Sequence, residues 1–331
     1  MGEKRYRYRM WYNWANPIPI EAKMIEPRLL IRLETKKAQL DELRPLPTAA
    51  INRLRDEILI EWIYNSNAIE GSTITLQETR LILETGLTVG GKSLREHFEV
   101  TNHKDAIQYV EDLVKNTEPI TAFHIRQIHK LILTHIDDEN AGSYRKTQVR
   151  IAGAPFTPPE SWQINGLMTE WSDWVASVER SMHPVALAAQ AHHRLVAIHP
   201  FIDGNGRTAR LVLNLLLMRS GYPPTVILRV NRKQYYSVLA KADSGNPNAL
   251  ENFVGRAVEN SINLYLEACK PVIKSPQPEE EWIPLRDACV GTPYSQEYIS
   301  LLARLGRIEA TKRGRNWYTT RHAIKAYLAS L

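Results

Sequence analysis

From Ile20 to Cys269, apolar side chains recur every three or four residues in one stretch after another, and they almost never alternate. That spacing gathers them on one face of an α-helix and excludes a sheet as the framework of the body. The first stretch runs from Ile20 to Leu43 and is closed by Pro45 and Pro47. The second starts near Thr48, carries Ile51, Leu54, Ile58, Ile60 and Ile63, and fades through Asn65-Ser66-Asn67 to Gly71. Further helices are predicted near 75–85, 98–115, 121–135, 161–178, 184–198, 206–219, 232–242 and 249–269. Only two places read as strands. One is Thr147 to Ile151, where Val149 and Ile151 alternate with polar residues in a hairpin between Gly142 and Gly153; the other is close to the C-terminus. The expected fold class is therefore all-α, with a small β-hairpin and a separate C-terminal module.

Of 331 residues, 44% are apolar and 24% charged, which excludes disorder as the dominant state. The expected division is an N-terminal arm and helix (1–46), a helical domain (47–270), a linker (271–281) and a C-terminal module (282–331). The linker is marked by Lys274-Ser275-Pro276-Gln277-Pro278 and the acidic run that follows. The formal charge of +6 is unevenly spread: residues 301–331 hold Arg304, Arg307, Lys312, Arg313, Arg315, Arg321 and Lys325 against Glu309 alone. The basic surplus thus belongs to the C-terminal module. Cys269 and Cys289 build no disulfide framework, which fits a reducing compartment. The N-terminal residues lack a secretory apolar core, and the run Leu211–Met218 is too short to cross a bilayer. A soluble, cytoplasmic protein without a membrane partner is expected.

Gly86 to Ser93 formally fits the phosphate-cradling G-x-x-x-x-G-K-S pattern, but the preceding residues have helical rather than strand spacing, so the segment reads as a helix–helix loop. The stronger signal lies between His199 and Arg210. A helix ends at Pro200 and another begins near Gly206, joined by a loop that holds Gly204-Asn205-Gly206. Glycines feeding a helix N-terminus let backbone N–H groups close on an anion. Arg207 and Arg210, three apart on the first turn, can face that anion together. Asp203 beside an anion makes sense if a cation bridges them, and magnesium held by one carboxylate plus phosphates suits it. His199 has the near-neutral pKa of a general base.

His199 to Arg210 fits the pattern HPFx(D/E)GNGRxxR without departure, and over about residues 47–270 the chain resembles Fic-domain proteins. The resemblance implies a Fic-type helical bundle that transfers AMP from ATP to a Ser, Thr or Tyr hydroxyl of a target protein and of itself. His199 would deprotonate the hydroxyl, and Asp203 would hold Mg2+. The backbone and side chain of Gly204-Asn205-Gly206, with Arg207 and Arg210, would bind the phosphates. Ser66, Glu70 and Gly71 fit the family's inhibitory pattern (S/T)xxxE(G/N), which implies that Glu70 pairs with Arg210 and locks the site. In some relatives the same glutamate helps remove AMP, so the reverse activity is also implied.

The hairpin at 142–155 resembles the family's flap, which holds a target segment by strand addition and would set Ile151, Ala152, Gly153 and Ala154 against the nucleotide. Tyr235 and Tyr236 match a tyrosine pair that lines the adenine pocket, while Asp243 stands where an asparagine often contacts adenine. His192 and His193 point about 100° apart on a helix and lack further ligands at metal spacing, so zinc is not expected and one of the pair should pack in the core. Relatives often dimerise, which makes a homodimer a further expectation.

In the C-terminal module Ser295 can cap a helix whose Ile299, Leu302 and Leu305 point inward and which Gly306 ends. Arg307–Thr311 and Asn316–Thr319 alternate like strands around a basic tip. The module resembles a winged helix-turn-helix, which suggests DNA contact through Lys312, Arg313 and Arg315 or else a protein-docking role. The alternative to an autoinhibited adenylyltransferase is thus a DNA-binding regulator whose Fic body senses a nucleotide.

Overall fold

A computed structural model describes residues 25–116, 118–151, 156–270 and 281–329. Ten α-helices precede residue 270 among them: α1 Pro27–Glu42, α2 Thr48–Glu70, α3 Leu76–Thr85, α4 Leu94–Lys115, α5 Ala122–Leu133, α6 Ile164–Val178, α7 Pro184–Ile198, α8 Asn205–Arg219, α9 Arg232–Asp243 and α10 Asn248–Cys269. Periodicity alone anticipates all ten, with ends displaced by a few residues. The expected aromatic arm, residues 1–20, and most of the linker lie outside the described residues.

At the centre α7 packs lengthwise on α8. Pro184 starts α7, where its missing N–H costs nothing, and His183 accepts a hydrogen bond from the Val185 N–H to cap it. Alanines 186, 188, 189 and 191 let neighbours approach α7 closely, and α8 is buried on nearly every side. From Leu211 onward α8 is apolar on nearly every side, which belongs in the middle of a bundle. Helices α4, α5, α6 and α10 surround the pair, and α1 lies along α10, with Leu29, Leu33 and Leu40 turned inward. Gly255 makes that approach possible, because a Cβ there would stand 3.0 Å from Leu29 Cδ2.

Between Leu211 and Met218 one polar residue interrupts the apolar run of α8. Asn214 donates to the carbonyls of Arg210 and Thr225 and accepts from the Thr225 N–H, which ties the segment after α8 back onto the helix. No described helix is long and apolar enough to cross a membrane.

Residues 281–329 form a three-stranded antiparallel sheet with helices packed on it. Strands β1 (Ile283–Pro284), β2 (Ala310–Arg313) and β3 (Asn316–Thr319) lie in the order β1-β3-β2, with Arg313 opposite Asn316 around a turn at Gly314 (φ +61°). The short helix α11 (Leu285–Ala288), α12 (Gln296–Arg304) and α13 (Arg321–Ala329) complete the unit. Ser295 caps α12 by accepting from the Tyr298 N–H, and Ile299, Leu302 and Leu305 are buried, as their spacing predicts. Strand β1 and helix α13 were not legible in the sequence, and β2 begins three residues later than expected. At two residues, β1 is too short to alternate.

The unit docks on α2. Arg304 at the end of α12 pairs with Glu61 and reaches Glu57 (Nε–Oε2 3.4 Å), and Arg53 donates to the Arg304 carbonyl (2.9 Å). Glu61 is 2% exposed, so Arg304 neutralises a carboxylate that water scarcely touches.

The expected strand at Thr147–Ile151 is not found: residues 147–151 pair with no strand. Side chains take the ladder's place. Arg145 donates to the carbonyls of Thr147 and Pro159, and Gln148 donates to the Pro158 carbonyl. Ala152, Gly153 and Ala154 lie outside the described residues.

Asn214→Ala leaves the buried N–H and C=O of Thr225 without partners and should cost about 2 kcal/mol of stability. The shift in urea midpoint at constant slope measures it.

Candidate active site

Helix α7 ends on His199 in the left-handed region (φ +50°, ψ +58°), and the chain re-enters a helix at Gly204 (φ +74°). A non-glycine residue with positive φ needs its surroundings to hold it there. Arg145 does so from one side: its Nε donates to the His199 carbonyl (2.8 Å), and its own N–H donates to the Pro200 carbonyl (2.9 Å). Asn205 does so from the other. Its amide accepts from the Phe201 N–H (3.0 Å) and donates to the Phe201 carbonyl (2.9 Å). The Asn205 side chain, expected at the phosphates, here holds the loop through Oδ1 and one hydrogen of Nδ2.

His129 braces the loop from beneath. Its ring stacks on Phe201 (centroids 3.6 Å apart, 3° between planes), and a Cβ on Gly204 would stand 3.3 Å from it. The Gly142 N–H donates to Nδ1 (3.0 Å), so the proton is on Nε2, which donates to the Asp203 carbonyl (3.0 Å). Burial pushes the His129 pKa down to about 4 and keeps it in that neutral form.

The His199 ring places Nδ1 3.2 Å from the Val196 carbonyl. The proton then sits on Nδ1, and Nε2 keeps its lone pair. Burial lowers the pKa of His199 below the usual imidazole value, so it is neutral at pH 7 and fit to take a proton.

The cradle at the start of α8 holds a carboxylate of the chain's own. Glu70, the last residue of α2, lies 2.8 Å from Arg210 Nη2, and its Oε1 stands 2.2 Å from where a Gly206 Cβ would be. Glycine is therefore required at 206 for Glu70 to reach the helix N-terminus. Ser66 completes the grip, its hydroxyl accepting from Arg210 Nε (3.0 Å) and its carbonyl from Nη2 (2.8 Å). Gly71 ends α2 at φ +108° and turns the chain away. Arg207 does not share this partner. It faces Glu99 (3.2 Å) and Asp203 (3.3 Å), so the two arginines are held by different carboxylates.

Burial pushes the Asp203 carboxyl up, but Arg207, the Gly204 N–H and Arg95 outweigh it and hold the group ionised. Arg95 lies directly on this carboxylate. No group of three His, Cys, Asp or Glu side chains that could hold a metal occurs among the described residues. One oxygen ligand in an anion cradle suits magnesium, which takes its remaining ligands from phosphate and water, and does not suit zinc.

A cleft of about 500 Å³ runs from this cradle past His199 to Tyr236 and Asp243, with Ile151 and Phe156 on its rim. The two tyrosines divide. Tyr235 is buried, its hydroxyl 2.8 Å from His192 Nε2, whereas Tyr236 is 40% exposed and packs its ring against Tyr235 at a tilt of 48°. Both histidines are inside, because His193 pairs with Asp243 (2.7 Å) at the end of the cleft. Arg232, over the Tyr236 ring, donates to the Ile69 carbonyl (2.7 Å) and ties α9 to the end of α2.

A model of the Fic/DOC family matches residues 119–217. The chain is 40% identical over 245 residues to the protein adenylyltransferase Fic of Drosophila grimshawi, across 74% of this chain and 50% of that protein. It spans about half the length of the curated relatives it matches. The solved structure of Fic-1 from C. elegans is 34% identical and covers 73% of this chain and 71% of that one, with a TM-score of 0.66. That of a Fic family protein from Desulfovibrio desulfuricans is 25% identical and covers 90% and 97%, with a TM-score of 0.63.

Protonating His129 and His192, whose pKa values burial pushes down to about 4 and about 3, favours the unfolded chain, in which imidazoles take up protons near pH 6.5. Stability should therefore fall as pH drops from about 6.5 to about 4, read as urea midpoints across that range.

Proposed function

The chain belongs to the Fic/DOC family, and on that footing we propose that it is a protein adenylyltransferase restrained by its own Glu70. The observation that carries this reading is the carboxylate of Glu70 in the anion cradle of α8, across a nucleotide-sized cleft from a neutral His199. Nε2 of His199 takes the proton of a target Ser, Thr or Tyr hydroxyl. That oxygen forms a bond to the α-phosphorus of ATP, the bond from the α-phosphorus to the bridging oxygen breaks, and pyrophosphate leaves. Arg207, Arg210 and the N–H groups of Asn205 and Gly206 balance the charge on the leaving group, while the Gly204 N–H stays on Asp203. Asp203 would hold the magnesium, which supplies neutralising charge at the phosphates; Arg95 must leave that carboxylate first.

Restraint follows from charge. While Glu70 and Ser66 hold Arg210, an incoming phosphate meets a carboxylate and lacks one of its cations. Arg210 is buried, so something anionic must accompany it. Either Glu70 or the nucleotide can be that partner. A glutamate at this place is also positioned to orient water for removal of AMP, so both directions of transfer use one site.

In this reading the C-terminal unit is a winged helix, supported by its three-stranded sheet and the helices on it. Its wing cations do not act alike. Arg313 lies over the rings of Trp282 and Tyr318, whereas Lys312 and Arg315 line a cleft shared with α2 and α3. That division favours a docking role over duplex binding.

Labelled ATP tests the proposal. Glu70→Gly should raise AMP incorporation about tenfold or more, the worth of an ion pair of about 1.4 kcal/mol or more. His199→Ala should abolish it. Incorporation by Glu70→Gly should hold steady above neutral pH and decline once His199 is protonated, below its ordinary value of 6.5. Equal labelling by wild type and Glu70→Gly removes the lock, and full labelling by His199→Ala removes the base.

A further inference from the structure

Between the C-terminal unit and the body lies a second cleft, of about 960 Å³, well separated in sequence from the catalytic loop. One wall is α2 and α3, with Arg53, Tyr64 and Arg80; the other is the β2–β3 hairpin, with Lys312, Arg315 and Trp317. The charges of this cleft are incompletely matched. Arg80 is paired with Glu57 and Glu84, and Arg304 with Glu57 and Glu61. Lys312 and Arg315 have no hydrogen bond or ion pair among the described residues, and Arg53 has only the Arg304 carbonyl. Unmatched cations thus face one another from both walls, against Glu297 as the one unpaired acid of the lining.

The geometry points to this cleft as the docking site for an acidic, extended polypeptide segment of a partner, whose binding holds the C-terminal unit on α2 and so keeps Glu70 on Arg210. Carboxylates set between the walls neutralise both, and aromatic Tyr64 and Trp317 offer apolar surface to the stems between them. Cations on two walls suit a segment laid between them, and Arg313, the remaining cation of the wing tip, lies over Trp282 and Tyr318.

The link to Glu70 runs along one helix. Glu61 receives Arg304 on one oxygen and the Asn65 amide on the other (2.9 Å), and Asn65 accepts from the Arg229 N–H (2.7 Å). Ser66 and Glu70 follow within the next turn and a half. If Arg304 withdraws, Glu61 is a buried carboxylate without a counter-ion. Two reliefs are open to it: uptake of a proton, toward which burial already pushes its pKa, and an outward shift of α2. The second carries Ser66 and Glu70 away from Arg210, and it is the one that exchange at 61–70 reads. A ligand that touches both walls binds the docked arrangement alone and therefore stabilises it. The inference rests on the proposed function only in taking Glu70 as a restraint.

Fluorescein-labelled octaglutamate and the full chain provide the test, by anisotropy and by hydrogen exchange of amides 61–70, neither of which involves ATP. The peptide should bind in a salt-sensitive way and lose about tenfold in affinity for the double variant Lys312→Gln/Arg315→Gln. Saturating peptide should slow exchange across 61–70 in the wild type. Arg304→Gln should speed that exchange and make it insensitive to peptide; if this variant does not fold, the wild-type comparison alone decides. Equal binding by wild type and the double variant overturns the site, as does tighter binding of a duplex oligonucleotide. Peptide binding that leaves exchange at 61–70 unchanged, or speeds it, overturns the link to Glu70. If Glu70→Gly transfers no AMP, the proposed function fails while the binding and exchange results stand.

Discussion

Arg210 is buried at the start of the innermost helix, and a guanidinium there needs an anion. The rest of the site is arranged around how that need is met. In this structure α2 meets it with the carboxylate of Glu70 and with both oxygens of Ser66. Gly206 leaves room for the carboxylate, Gly71 ends α2 immediately after it, and Arg232 ties the last turn to α9. A nucleotide phosphate has the same charge and would enter the same cradle. Competition between two anions for one cation is enough to make the site restrainable.

The catalytic loop depends on a different set of forces. Six residues connect α7 to α8, and His199 and Gly204 within them have left-handed backbones. Such a loop does not hold its shape by propensity. Arg145, Asn205 and His129 hold it, each by hydrogen bonds to main-chain groups, and His129 adds a face-to-face stack on Phe201. The imidazole proposed as the base is thus carried on a backbone braced from three helices or loops, and it has little freedom to turn away.

Much of this was legible beforehand. The ten helices of the body follow from apolar spacing, and the groups between His199 and Arg210 follow from the chemistry an anion demands. The braces were not legible. His129 lies 74 residues from the carbonyl it supports, and Arg145 lies 54 from the one it holds; in sequence each is an ordinary polar residue on an amphipathic stretch. That the Asn205 amide would also brace the loop, by bonds to both main-chain groups of Phe201, had no signal in the spacing. The alternation at Thr147–Ile151 was a strand's, yet a strand needs a neighbour, and none of the described residues provides one.

By itself, then, the sequence determined local matters: where helices begin and end, which short loop can hold an anion, and which residue types stand ready there as base, carboxylate and cations. Those depend on contacts a few residues apart, and spacing records them directly. Spacing could not pair carboxylates with arginines more than a hundred residues away: the Glu70–Arg210 pair was expected from the family resemblance alone, and only the tertiary structure decided that Arg207 meets Glu99. Only the tertiary structure, again, turned the basic C-terminal unit toward α2. An ion pair between Arg304 and Glu61 spans 243 residues, and charge acts through space without regard to the chain between.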